Sequence, residues 1–192
     1  MNYKNTVIKV APHVYEPSED SFLLAEAALS EIKGDERILE VGCGSGIISA
    51  VIKANTKAKV AGIDINPYAV SCARRNGVDV IRGDMLCCVK GKFDMLIFNP
   101  PYLPALNTPK KEEYWINLAL DGGKSGRELI YRFLEDARVY LNEKGRILMV
   151  VSSITGIEQV KSRMESLNYS VEEKCRERFM FEQLVVLAGT KN

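Results

Sequence analysis

The sequence predicts an α/β fold, a largely parallel sheet with helices on both faces. Three observations carry this reading. Short apolar runs of strand length alternate with helical stretches, a glycine-rich turn joins the first run to the helix after it, and 192 residues allow one sizeable core but hardly two. In chain order, a polar lead-in gives way to helix signals over 17–32: Pro17, acidic Glu19 and Asp20, then Phe22, Leu23, Ala25, Ala27, Ala28 and Leu29. Strand-like runs at 37–41, 59–64 and 78–82 alternate with helical stretches at 46–55 and 67–76, and a further run fills 93–98. Residues 99–124, rich in Pro, Lys, Glu and Gly, read as a long irregular segment and a candidate substrate lid. A helix over 126–141, a strand over 146–151 and a helix over 155–167 resume the alternation, the last with Ile157, Val160, Met164 and Leu167 on one face. The runs at 170–178 and 184–189 lie too close together for a helical crossover, so they pair as an antiparallel hairpin. No repeat or linker divides the chain: 1–192 reads as a single domain, 1–33 its N-terminal segment and helix, 34–192 its core.

Composition narrows the function. Twenty-six Lys and Arg against twenty-five Asp and Glu give a net charge of +1, so binding to a polyanion would need a local patch. Lys174, Arg176 and Arg178 share one face of a predicted strand, and Lys110, Lys111, Lys124 and Arg127 flank the irregular segment. The longest apolar runs, 147–151 and 184–188, are too short for a bilayer and no leader is evident, which points to a cytoplasmic protein. Five cysteines without C-x-x-C spacing read as reduced, mostly buried thiols and not as a zinc site. With His13 the only histidine, neither a His-ligated metal nor a His-activated nucleophile is expected, and no metal is assigned.

The first motif is Glu40-Val41-Gly42-Cys43-Gly44-Ser45-Gly46, a glycine loop between a strand and a helix. Its G-x-G-x-G spacing, with Ile47 where a dinucleotide fingerprint has glycine, disfavours NAD. The next strand ends at Asp64, about one βα unit downstream, where a carboxylate can accept bonds from both ribose hydroxyls. Asp84 follows the third strand, so three consecutive strands end near a carboxylate. Together these resemble class I S-adenosylmethionine-dependent methyltransferases over roughly residues 37–190. The resemblance implies a Rossmann-like, seven-stranded sheet of order 3-2-1-4-5-7-6 with the last strand antiparallel. It also implies that the loop from Glu40 through Gly42, Gly44 and Gly46 lies along the methionyl part of S-adenosylmethionine, that Asp64 takes the ribose and Asp84 the adenine amine, and that Ile65 and Met85 flank the adenine ring.

The second motif, Asn99-Pro100-Pro101-Tyr102, follows the strand 93–98 directly. Alone it could be a proline-stiffened turn. In a doubly wound sheet it stands beside the glycine loop at the switch point. A planar NH2 group has a delocalised lone pair and must be held in line with an electrophilic methyl. Asn99 Oδ1 and the Pro100 carbonyl can accept its two N–H bonds, while Tyr102 offers an aromatic face and Pro100 and Pro101 stiffen the turn. The motif is similar to that of methyltransferases acting on planar amines: glutamine side chains in release factors, adenine in nucleic acids, guanine N2 in ribosomal RNA.

Two flanking segments go further. Val14-Tyr15-Glu16-Pro17-Ser18-Glu19-Asp20-Ser21 and Leu120-Asp121-Gly122-Gly123-Lys124-Ser125-Gly126-Arg127-Glu128 resemble the short HemK2/Mtq2-type glutamine methyltransferases. That resemblance implies transfer to N5 of the glutamine in the Gly-Gly-Gln motif of a class I peptide-chain release factor, with Asp20 and Ser21 near the amino-acid end of the cofactor. An acid and a hydroxyl at a helix start also serve as ordinary capping residues. A small zinc-binding activator protein is implied at the edge strand 78–81, whose exposed apolar edge invites a cover. Two rival readings remain open: an RNA or DNA exocyclic-amine methyltransferase, whose activity falls steeply with salt, and a non-catalytic cofactor-binding scaffold, for which Asn99 is dispensable.

Overall fold

The computed structural model describes residues 1–105 and 113–192. Its core is a seven-stranded sheet built from β3 (Arg37–Val41), β4 (Lys59–Asp64), β5 (Asp79–Arg82), β6 (Phe93–Phe98), β7 (Leu141–Ser152), β8 (Tyr169–Arg178) and β9 (Gln183–Lys191). The order is β5-β4-β3-β6-β7-β9-β8, which counted over these strands alone is 3-2-1-4-5-7-6. All neighbours are parallel except β9, which runs antiparallel to both β7 and β8. The expected topology therefore holds.

Period-two alternation splits the buried side chains between two layers. Met95 and Ile97 of β6, Leu148 and Val150 of β7, and Val186 and Ala188 of β9 face α1 (Glu19–Glu31), α2 (Ile47–Asn55) and α3 (Pro67–Arg75). Leu96 and Phe98, Ile147 and Met149, and Val185 and Leu187 face α5 (Glu128–Tyr140) and α6 (Ile157–Ser166). Strands buried on both faces read as continuous apolar runs, which is why β4 and β6 are legible to the residue.

Four expectations need correction. The polar lead-in holds a small hairpin, β1 (Asn2–Tyr3) and β2 (Thr6–Val7), turned by Lys4 and Asn5, both at positive φ as a type I′ turn requires. The segment 99–124 is not wholly irregular, since α4 (Tyr114–Leu120) lies within it; residues 106–112, Lys110 and Lys111 among them, fall outside the described residues. Lys174, Arg176 and Arg178 do not share a face. The ladder slips between Glu173 and Cys175, so Lys174 turns to Glu31 of α1 at 3.2 Å while Arg176 binds Glu173, which also binds Lys161 of α6. Finally, only Cys43 and Cys72 are buried; Cys87 and Cys88 are exposed and Cys175 is half-buried, all five as free thiols. No helix among the described residues is long and apolar enough to cross a membrane.

Candidate active site

Register assembles the site. Val41 pairs with Ile63 on one side and Phe98 on the other, so Gly42, Asp64 and Asn99 leave three adjacent strands at one level. Over these strand ends lies a cavity of about 350 Å³. Glu40, Gly42 and Gly44 form its floor, Asp64 and Ile65 with Asp84 and Met85 one wall, and Asn99, Pro100, Pro101 and Tyr102 the opposite wall beside Asp20 and Ser21. Trp115 and Leu118 of α4 also line it, so the helix missed in the sequence borders the site.

Gly46 is the one expected site residue outside this lining. Its φ is +79°, and a Cβ there would come within 2.9 Å of Ala73 Cβ and Val78 Cγ2. Glycine at that point lets the start of α2 seat against α3.

Asp64 is fixed by backbone donors: Gly44 N–H binds Oδ2 and Asn66 N–H binds Oδ1, each at 2.8 Å. Burial nevertheless raises its carboxyl above the ordinary range, with those donors opposing. Asp84 is gripped by both Arg132 guanidinium nitrogens at 3.2 and 2.7 Å. Arg132 lies 48 residues away in sequence and carries no motif that would have flagged it.

The Asn-Pro-Pro-Tyr turn is braced from below. Leu103 N–H binds Leu120 O at 3.1 Å, Gly122 N–H binds Leu103 O at 2.8 Å and Ala105 N–H binds Gly123 O at 2.8 Å. The Leu120–Glu128 segment singled out in the sequence is therefore the support of this turn. Asn99 Nδ2 donates to Asp20 and Ser21, whereas Asn99 Oδ1 is buried with no hydrogen-bond partner. A buried acceptor without a donor is costly.

Comparison with known proteins agrees with this geometry. The methyltransferase small domain family model matches residues 19–114. A putative protein N5-glutamine methyltransferase of Methanocaldococcus jannaschii is 39% identical over 186 residues, 94% of this chain and 93% of the relative. Methyltransferase HEMK2 of Homo sapiens is 35% identical over 197 residues, 93% of this chain and 90% of its own. The chain belongs to the HemK2/Mtq2-type methyltransferases. Among solved structures, the E. cuniculi Mtq2–Trm112 complex responsible for methylation of the eRF1 translation termination factor superposes with TM-score 0.78 at 26% identity, covering 94% of this chain and 99% of that one.

As a HemK2/Mtq2-type enzyme it uses S-adenosylmethionine, and the chemistry of the cavity fits that molecule: a glycine floor, two carboxylates at successive strand ends, and Ile65 and Met85 as apolar flanks. Glu40 adds a pH signature. It is 2% exposed, and burial pushes its carboxyl up to about 7 although Ser49 N–H and hydroxyl both donate to it. The unfolded chain releases this proton near 4.5, the folded chain only near 7, so stability from this group is present below 4.5 and lost as pH rises to 7. Glu40→Gln is expected to flatten that loss. Between pH 5 and 8 the cofactor-free wild type should fall relative to the variant by up to about 3 kcal/mol, roughly 5–10 °C in Tm. Parallel melting curves would sink the assignment.

Proposed function

We propose that this enzyme transfers a methyl group to N5 of the glutamine in the Gly-Gly-Gln motif of a class I peptide-chain release factor. S-adenosylmethionine, when bound, supplies an electrophilic methyl on a sulfonium. For its binding we assign Glu40, Gly42 and Gly44 to the methionyl part, Asp64 to the ribose, and Asp84, Ile65 and Met85 to the adenine.

The observation that carries the reading is the buried, unpartnered Oδ1 of Asn99, a residue that lines the cavity together with Pro100. Asn99 Oδ1 and the Pro100 carbonyl accept the two amide hydrogens of the glutamine. That grip turns the nitrogen lone pair across the cavity and stabilises the positive charge the nitrogen acquires as the N–C bond forms and the methyl's bond to sulfur breaks, its electron pair staying on the sulfur as a neutral thioether. One amide proton then leaves to solvent, so no general base is needed. Tyr102 packs against the flat amide. Burial and the nearby Asp20 raise its phenol well above the usual range, so it stays neutral throughout.

Three of the cations that a nucleic acid could use are engaged within the protein. Lys174 and Arg176 are committed to Glu31, Glu172 and Glu173, and Arg127 donates to the Thr155 carbonyl, which leaves these cations poorly disposed to phosphate. We also propose a small zinc-binding activator at the β5 edge. There Ile81 is exposed and borders a second cavity with Val80, Val89 and Phe93, and the E. cuniculi relative was solved with Trm112. The five free thiols suit a reducing, cytoplasmic setting.

The test is label transfer from the cofactor, with and without a candidate activator, to a release factor, to the same factor with its glutamine replaced by alanine, and to total RNA. Label on the first alone is expected. Label that persists on the alanine form, or goes to RNA, overturns the substrate assignment.

A further inference from the structure

The two ends of the Asn99 carboxamide meet different surroundings. Nδ2 donates to Asp20 Oδ2 at 3.1 Å and to Ser21 Oγ at 3.4 Å, so both amide hydrogens are taken. Oδ1 has no partner. A carboxylate can only accept, so rotating the amide by half a turn would set Oδ1 against an anionic oxygen and leave NH2 on the unpartnered side. The rotamer with Oδ1 turned away from Asp20 is thus enforced by its neighbour.

That neighbour is itself held. Asp20 Oδ1 accepts from Ser21 N–H at 2.6 Å and Ser21 Oγ at 3.1 Å, and the Tyr15 hydroxyl donates to Oδ2 at 3.3 Å. Asp20 and Ser21 are each 4% exposed, and Asp20 stands in the first turn of the thirteen-residue α1, where the helix dipole favours an anion. Neither residue caps the helix: Ser18 is the N-cap and makes no side-chain capping bond. The residues expected to serve the cofactor thus have their polar atoms engaged with Asn99 and with each other.

We propose that Asp20 is a positioning residue: it fixes the Asn99 carboxamide so that Oδ1, the acceptor for the substrate NH2, is set before substrate arrives. This deepens the functional reading above and rests on it for the identity of the acceptor. It also accounts for the link between the N-terminal segment and the turn after β6, 79 residues apart.

The test is Asp20→Asn, which keeps size and shape but supplies a donor, so the Asn99 amide is free to flip. Turnover is expected to fall about 10- to 100-fold, the scale of a misaligned acceptor, while cofactor affinity measured by calorimetry stays within about threefold. In the cofactor-free protein, the Asn99 side-chain amide signal, assigned by its loss in Asn99→Asp, should exchange with water at least about tenfold faster in Asp20→Asn. The double variant Asp20→Asn/Asn99→Asp reverses donor and acceptor and again leaves an oxygen on the side away from residue 20, so it should turn over faster than Asp20→Asn alone. Wild-type turnover in Asp20→Asn, a turnover loss matched by an equal loss of cofactor affinity, unchanged amide exchange, or a double variant no better than the single one would each overturn the proposal. If wild-type enzyme labels RNA and not the release factor, the functional reading fails while these ratios, measured on the labelled acceptor, still decide this one. If it labels nothing, the amide exchange decides alone.

Discussion

Asn99→Ala is expected to lower turnover by about 10²–10³ and to leave cofactor affinity nearly unchanged, by analogy with removal of one preorganised charge-stabilising group. The expectation follows from where the two ends of that side chain point. Oδ1 is buried and unpartnered, so removing it breaks no hydrogen bond within the protein. Nδ2 does contribute: without it Asp20 Oδ2 loses a donor inside the protein, which costs about 1–3 kcal/mol. A fall in Tm of several degrees should therefore accompany the loss of turnover. The two effects separate cleanly, because calorimetric titration with the cofactor reports whether the cavity survives and single-turnover labelling reports the methyl transfer. Full turnover in a folded Asn99→Ala protein would remove Asn99 from the reaction.

Most of the sheet is legible in the sequence because strands buried on both faces leave little freedom. Residues 59–64 and 93–98 form strands at the bounds their apolar runs predict, as β4 and β6. The glycine loop, Asp64 and Asn99 are legible for a different reason: each stands at the end of such a strand, and a strand end fixes a residue's level in space. What escapes the sequence is whatever depends on contacts between distant segments. Asp20 meets Asn99 across 79 residues and Arg132 meets Asp84 across 48, and neither pairing has a periodicity to betray it. The helix at Tyr114–Leu120 escapes because none of its residues is buried, so its apolar positions follow the shape of a cavity and not a core stripe. Lys174 is misplaced by a single-residue slip in the β8–β9 ladder, which alternation cannot anticipate. Gly46, grouped with its loop-mates in the sequence, also meets the close approach of α3, which the motif does not reveal.

Gly126→Ala should be the most damaging substitution outside the cavity. Gly126 has φ +75°, and a Cβ there would sit 2.5 Å from the Tyr102 carbonyl oxygen and 2.9 Å from Thr155 Cγ2. The left-handed conformation costs alanine about 1–2 kcal/mol, and forcing an extra carbon into a filled space adds roughly 1–3 kcal/mol. Relief has few routes. Thr155 is buried and its carbonyl is bound by Arg127, so the softer response is displacement of the Tyr102 carbonyl, three residues from Asn99. Tyr102 is followed at once by the backbone ladder from Leu103 to Leu120 and Gly122, so the shift propagates into the Asn-Pro-Pro-Tyr turn and not outward to solvent. A displacement near 1 Å at reacting atoms costs about 10²-fold in rate, so turnover should fall on that scale while Tm drops by roughly 5–15 °C. Gly34→Ala is the control: its φ is +76° with nothing within 4 Å of the added carbon, so it carries the conformational cost without the collision. If both variants lose the same few degrees and both keep full turnover, the Leu120–Glu128 segment does not set the geometry of the turn above it.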